Sequence, residues 1–156
     1  MKKLTTLAAL FLISTVISLS SCGKNSAALA NILQAYYLGA LHTYNSANGM
    51  YVYQASMYST ASGVESGTNN TLTYSYSGTN TGNYPLGPSY TNSLSLTLGS
   101  KTYSSNYTGS YGSINITKLD NGSMWATGNF SGTLYSSTPG DSLPVTQGVL
   151  NLKYQF

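Results

Sequence analysis

Side chains able to do chemistry are scarce in this 156-residue chain: one histidine, His42, three carboxylates, Glu65, Asp120 and Asp141, and one thiol, Cys22. A hydrolytic triad needs a base that shares a proton with a nucleophile, and an acid that orients the base. His42 is the sole candidate base, and serine is so abundant that its presence discriminates nothing. Paired carboxylates for glycoside hydrolysis would have to be drawn from Glu65, Asp120 and Asp141. Asp120 and Asp141 adjoin Asn-Gly and Pro-Gly turn signals, where Asp usually serves its own backbone. Ligand spacings for zinc, for an EF-hand and for a P-loop are missing. The expectation is no enzyme, no catalytic residue, no metal and no cofactor.

Cys22 has a more telling context. Lys2 and Lys3 precede an uncharged apolar run from Leu4 to Leu19, and small residues, Ser20 and Ser21, stand just before the cysteine. A basic start, an apolar stretch and small residues at a cleavage point make a secretory signal. The Leu19-Ser20-Ser21-Cys22-Gly23 segment resembles the lipobox of Gram-negative lipoproteins. That resemblance implies cleavage before Cys22, a diacylglyceryl group on its thiol and a further acyl chain, such as palmitate, on the new N-terminus. Gly23 follows in place of the Asp that signals inner-membrane retention in such proteins, so the expected location is the outer membrane, on its periplasmic or outer surface. The competing reading is a transmembrane helix, but the run of sixteen residues is shorter than the ~20 that span a bilayer.

Once residues 1–21 are set aside, Lys24, Lys101, Lys118 and Lys153 face Glu65, Asp120 and Asp141, a formal charge of +1 with no Arg. Such a domain cannot neutralise a phosphate backbone, which argues against nucleic acid as a partner. One lysine next to the anchor makes no polybasic membrane patch. With Cys22 consumed by lipid, no thiol is left for a disulfide. Fifteen tyrosines amid Ser, Thr, Asn and Gly, with 6% charged residues, describe an ordered domain rather than a disordered one. Tyr and Thr favour strands, while Gly and Asn favour turns.

From Ser26, the residues Leu29, Ile32, Leu33, Tyr36, Tyr37, Ala40, Leu41 and Tyr44 fall at helical spacing, which predicts an amphipathic helix over 26–45 that docks on the domain or on the membrane. Beyond Gly49 the period becomes two. Strands are expected over 50–58, at Leu72/Tyr74/Tyr76, at Leu94/Leu96/Leu98, over 101–107, at Ile114/Ile116, over 124–135 and over 145–156, with 59–70 as a loop. The stretch 81–88 is expected to be irregular, since its two prolines forbid a central strand. Gly99-Ser100 and Asn121-Gly122 predict two-residue hairpin turns, the latter of type I′. The fold class is all-β: an antiparallel sandwich or partly closed barrel of about seven strands with one N-terminal helix. The chain then divides into a signal peptide (1–21), a lipidated tether (22–25), the helix (26–45) and a β domain (50–156).

The segment Gly112-Ser113-Ile114-Asn115-Ile116-Thr117-Lys118-Leu119-Asp120, then Gly128-Asn129-Phe130 and Thr146-Gln147-Gly148-Val149, resembles the C-terminal half of a family of small bacterial lipoproteins of unknown function. Thr81-Gly82-Asn83-Tyr84-Pro85-Leu86 is similar to another element of that family, so the likeness spans roughly 71–156. It departs at Val149, where the family has Phe. The resemblance implies a fold and brings no catalytic residue.

Tyrosine with Ser, Gly and Asn is also the vocabulary of binding surfaces. Tyr51/Tyr53, Tyr74/Tyr76 and Tyr84/Tyr90 form a candidate stacking platform for a glycan or a peptide, set against tyrosines that merely pave a sheet. Asp141-Ser142-Leu143 resembles a bacterial O-glycosylation signal with Ser142 as acceptor, although a turn explains it equally. The terminal alternation Leu150/Leu152/Tyr154/Phe156 looks like the assembly signal of outer-membrane barrels. A spanning barrel needs at least eight strands with an apolar outer face, and the sequence offers about seven with Ser, Thr or Asn on the opposite faces. The functional expectation is a lipid-anchored, non-enzymatic envelope protein with a structural or ligand-binding role, of open oligomeric state, with an integral barrel as the alternative.

Overall fold

Inward-facing positions on one described strand are small because both neighbours are large. The computed structural model describes residues 31–53, 58–78, 80–120 and 122–155, with the side chains of 45–58 and 154–155 left aside. Ten strands run through them: β1 (Ile32–Tyr37), β2 (Ala40–Tyr53), β3 (Tyr58–Glu65), β4 (Thr71–Ser77), β5 (Gly82–Leu86), β6 (Ser93–Leu98), β7 (Lys101–Ser104), β8 (Tyr111–Asp120), β9 (Trp125–Ser136) and β10 (Ser142–Gln155). On β3, Ala61 and Gly63 face inward between Tyr44 of β2 and Tyr74 of β4, and a Cβ on Gly63 would stand 2.8 Å from that of Tyr44. The rings of Tyr44, Tyr74 and Tyr76 occupy the space thus left, each shut off from solvent. Among the described residues no helix occurs.

The strands β1, β2, β3, β4, β6, β7, β9 and β10 pair in that order, and β10 returns to β1, so eight strands close a barrel of antiparallel neighbours. Closure removes the exposed edges that would recruit other strands. The ring is uneven. One edge of β9 holds β7 only at Tyr135 and Ser136, whereas β8 takes the stretch from Trp125 to Thr133, with β5 added outside β8. Beyond β7 the wall is therefore continued by β8 and β5. The seam between β5 and β4 is spanned by Asn92: its Nδ2 donates to Pro85 O at 2.8 Å, and its Oδ1 accepts from Ser77 N at 2.9 Å. Tyr84 covers the same seam, its ring 4.4 Å from that of Tyr76.

Glycines set how closely β8, β9 and β10 approach. A Cβ on Gly112 would lie 2.2 Å from Ser131 O, and one on Gly148 would lie 2.4 Å from a ring carbon of Phe130. Phe130 thus packs over Gly148, its partner across the β9–β10 ladder, where β10 shifts register between Val145 and Gly148. The Gly-x-Phe and Thr-x-Gly elements are in this way two halves of one packing contact. Inward residues of every other strand, among them Leu33, Leu94, Leu96, Ile114, Leu134, Leu150 and Leu152, complete a core with no exposed surface.

Three expectations need correction. The predicted helix is replaced, over its described part, by the β1–β2 hairpin, while residues 26–30 lie outside the described residues. Leu33, Ala35 and Tyr37 alternate inward, and Leu38 and Gly39 make a two-residue turn at φ 49° and 80°. Each apolar doublet that suggested a helix is split between the two faces, which leaves Tyr36 and Leu41 outside. Second, two spans expected to be without a strand hold one: the supposed loop 59–70 holds most of β3, whose small polar residues hid its role, and the supposedly irregular 81–88 holds β5, which tolerates Pro85 at the end of the strand order beside β8. Third, Asp120 pairs with Trp125, so the turn between β8 and β9 has four residues rather than two. Asp120 Oδ1 accepts from the N–H groups of Gly122 and Ser123 at 3.1 and 3.0 Å, and Met124 takes the positive φ of 60°. A side-chain acceptor of this kind supports the wider turn. Gly99-Ser100 forms the predicted two-residue turn between Leu98 and Lys101.

Candidate functional site

The antiparallel order sends the β1–β2, β3–β4, β6–β7 and β9–β10 turns to one end of the barrel. Titratable side chains gather there. Tyr44 of β2 stands opposite Glu65 of β3, and His42, two residues earlier on the same face, places Nδ1 2.6 Å from Glu65 Oε1. An ionised carboxylate only accepts, so Nδ1 carries the proton of this contact. Glu65 Oε2 accepts from Asn70 Nδ2 at 2.7 Å and Thr68 Oγ1 at 3.0 Å. Burial works to raise the Glu65 carboxyl, but the hydrogen bonds from His42, Asn70 and Thr68 outweigh it and hold the group below its ordinary value.

Tyr37 closes over this pair. Its ring lies 3.7 Å from that of His42, nearly parallel, and its hydroxyl accepts from Tyr44 at 2.9 Å. Burial pushes both phenols above their usual range. Among the described residues, His42 Nε2 has no hydrogen-bond partner, and it is shielded from solvent.

The same rim continues through the turns. Asn70 Oδ1 accepts from Gly99 N at 3.1 Å, and two residues on, Lys101 Nζ meets Asp141 Oδ2 at 2.6 Å. Asp141 also accepts from Ser136 Oγ and, at 3.3 Å, from the hydroxyl of Tyr103. The Lys101 hydrogen bond, then that from Ser136, holds the Asp141 carboxyl below its usual range. Beside Asp141, Tyr107, Tyr135 and the 136–140 turn enclose an open cleft of about 460 Å3.

The candidate stacking platform is not assembled on the surface. Tyr74 and Tyr76 are wholly buried in the barrel, and Tyr84 is half-buried against Tyr76. Alternation with Thr73 and Ser75 did mark one face of β4, but that face is the inner one, because Ala61 and Gly63 open room for the rings. Tyr90 is exposed, and the side chains of Tyr51 and Tyr53 fall outside the description. Ser142 is exposed at the start of β10, while its neighbour Asp141 is engaged in the rim cluster. Cys22 lies outside the described residues.

Chemically, His42 and Glu65 form an oriented acid–base pair, and among the described residues no hydrogen-bond partner meets the second ring nitrogen. Among the described residues there is no group of three or more His, Cys, Asp or Glu able to hold a metal ion. The sequence reading missed the pair because Glu65 fell in the supposed loop. Both 40–53 and 58–65 have to be read as strands, and two register shifts allowed between them, before Glu65 comes across from Tyr44.

Residues 42–152 match the model of a family described as a domain of unknown function, DUF6252. No curated protein and no solved structure matches the chain. The family match begins at His42 and takes in Glu65, Asn92, Lys101 and Asp141.

Proposed function

The chain belongs to the DUF6252 family, and we propose that it is a lipid-anchored envelope protein, held by acyl chains on Cys22 and using its barrel as a non-enzymatic binding or structural module. The observation that carries this reading is the direction of the barrel's faces. Inside stand Leu33, Tyr74, Leu96 and Leu150 without exposure, and outside stand Thr43, Thr73, Ser75, Thr102, Asn129, Ser131 and Lys153. A barrel that spans a membrane turns a continuous apolar band toward lipid, whereas this exterior mixes hydroxyls, amides and Lys153 with exposed Tyr36, Leu41, Val64, Tyr111 and Val149, a mixture that favours water over lipid. The Cys22 context then supplies the membrane attachment that the barrel surface does not.

Incorporation of labelled palmitate and density fractionation of envelopes test the anchor. The expected result is label on the wild-type chain in the outer-membrane fraction, with Cys22→Ser unlabelled and not fractionating with the outer membrane. A Cys22→Ser protein that stays in the membrane and shows heat-modifiable gel mobility would overturn the reading in favour of an integral barrel.

A further inference from the structure

We propose that the cleft between the loop after β7 and the β9–β10 turn binds a neutral oligosaccharide, with one sugar ring stacked on Tyr135. The proposal rests on the binding-module reading and names the ligand class. At about 460 Å3 the cleft falls in the range of ligand pockets, roughly 300–1,000 Å3.

Its aromatic wall is built in advance. Tyr135 points outward from β9, and one side of its ring is covered by Gly109, where a Cβ would lie 3.2 Å from the ring carbons. Gly109 has φ +94°, so a side chain there would be strained by backbone conformation and would crowd the Tyr135 ring. The backbone N–H of Tyr135 donates to Ser110 Oγ at 3.0 Å, and that hydroxyl donates to Ser104 O at 2.9 Å, which ties the loop to β7 and β9. The facing turn is held as well. Thr138 N donates to Ser136 Oγ at 3.1 Å, and Asp141 N donates to Thr138 O at 3.2 Å. Two walls fixed before a ligand arrives reduce the ordering cost of binding.

The lining selects the chemistry. Tyr107, Tyr135 and Pro139 offer flat apolar surface, and Thr108, Ser137 and Thr138 offer hydroxyls that both donate and accept. Among the described residues no charged side chain lines the cleft, and Asp141, next to the lining residue Gly140, is already paired with Lys101. A sugar ring matches that combination: its C–H face is apolar, and its rim of hydroxyls both donates and accepts. An anionic ligand would meet no cation in the lining, and the adjacent Lys101 is engaged by Asp141.

The test is saturation-transfer NMR and calorimetry on the full lipidated chain in a detergent without a sugar headgroup. The probes are cellotetraose, maltotetraose and chitotetraose, with trigalacturonate and an oligoproline peptide as controls. Saturable binding of at least one neutral tetrasaccharide, weakened tenfold or more by Tyr135→Ala and severalfold by Tyr107→Ala, is expected. Tyr107 is partly exposed, so its variant keeps the fold even if Tyr135→Ala does not, and a melting curve of each variant separates the two. No binding of any neutral probe overturns the proposal, as does preference for trigalacturonate or oligoproline, or undiminished binding by both folded variants. Cys22→Ser should bind the sugar as wild type does, so loss of the anchor reading and loss of the cleft reading are scored separately. Cleavage of a bound oligosaccharide would instead remove the non-enzymatic reading.

Discussion

Two polar clusters mark opposite ends of the barrel and are built on different principles. At the seam between β4 and β5, Asn92 is neutral, buried to 5% exposure, and uses both its amide nitrogen and its oxygen as stand-ins for a strand's backbone. At the turn end, His42 and Glu65 are part-exposed, charged on the Glu65 side, and leave one histidine nitrogen unused. A buried neutral group whose amide nitrogen and oxygen both have partners supports structure whatever the pH, whereas a carboxylate held by several donors ties stability to its ionised state. The contrast teaches that the seam completes the barrel wall and that the rim is where solution conditions can reach the fold.

The largest effect should come from the seam. Asn92→Leu removes the Asn92 partner of the Ser77 N–H and of the Pro85 carbonyl at a half-buried site, at about 1–3 kcal/mol for each group left unpaired. Denaturant unfolding should show a loss of about 2–4 kcal/mol with an unchanged denaturant slope, since both orphaned groups contribute. A loss too small to measure would mean that water replaces the amide and that the seam is open.

A smaller effect with a pH signature belongs to the rim. Glu65→Gln keeps the shape but weakens the charge-assisted bonds, and about 1 kcal/mol should be lost at pH 7. The Glu65 carboxyl is depressed in the folded state, so its contribution is fully present above its ordinary value of 4.5 and disappears as pH falls through the lower folded value. The wild-type chain should therefore lose stability on acidification below about pH 4.5 more steeply than Glu65→Gln does. Asp120 and Asp141 are also depressed and add slope of the same sign to both proteins. Identical acid limbs would dissolve the distinction between rim and seam.

Least of all should follow from Lys101→Gln. Its ion pair with Asp141 lies in solvent, where such pairs contribute little and are screened by salt. Asp141 keeps the Ser136 and Tyr103 hydroxyls, so the melting temperature should stay within error of wild type, in low and in high salt. A marked drop would show the rim to be one coupled network rather than two adjoining contacts.

Reading the chain without its structure recovers the strands whose apolar residues strictly alternate. Leu94/Leu96, Ile114/Ile116 and Ala126/Phe130/Leu134 all face the core, as does the inner row of β10 at Val145, Leu150 and Leu152. Two segments defeat the same reasoning. In β1 and β2 the apolar doublets satisfy helical and strand periods alike, and only β10, pairing Leu33 with Leu150, decides between them. In β3 the inner row is Ser59, Ala61 and Gly63, too small and too polar to register as a core face until Tyr44, Tyr74 and Tyr76 are seen lying against it.

Local alternation of side chains, Gly99-Ser100 at a tight turn and a composition rich in Tyr and Thr were enough to establish an all-β chain, because each depends on residues adjacent in sequence. Closure of the eight-strand ring, the inward turn of Tyr74 and Tyr76, and the meeting of His42 with Glu65 were decided by tertiary structure alone. Each of these joins groups far apart along the chain, and whether a face is buried or a polar atom satisfied depends on what the other strands bring to it.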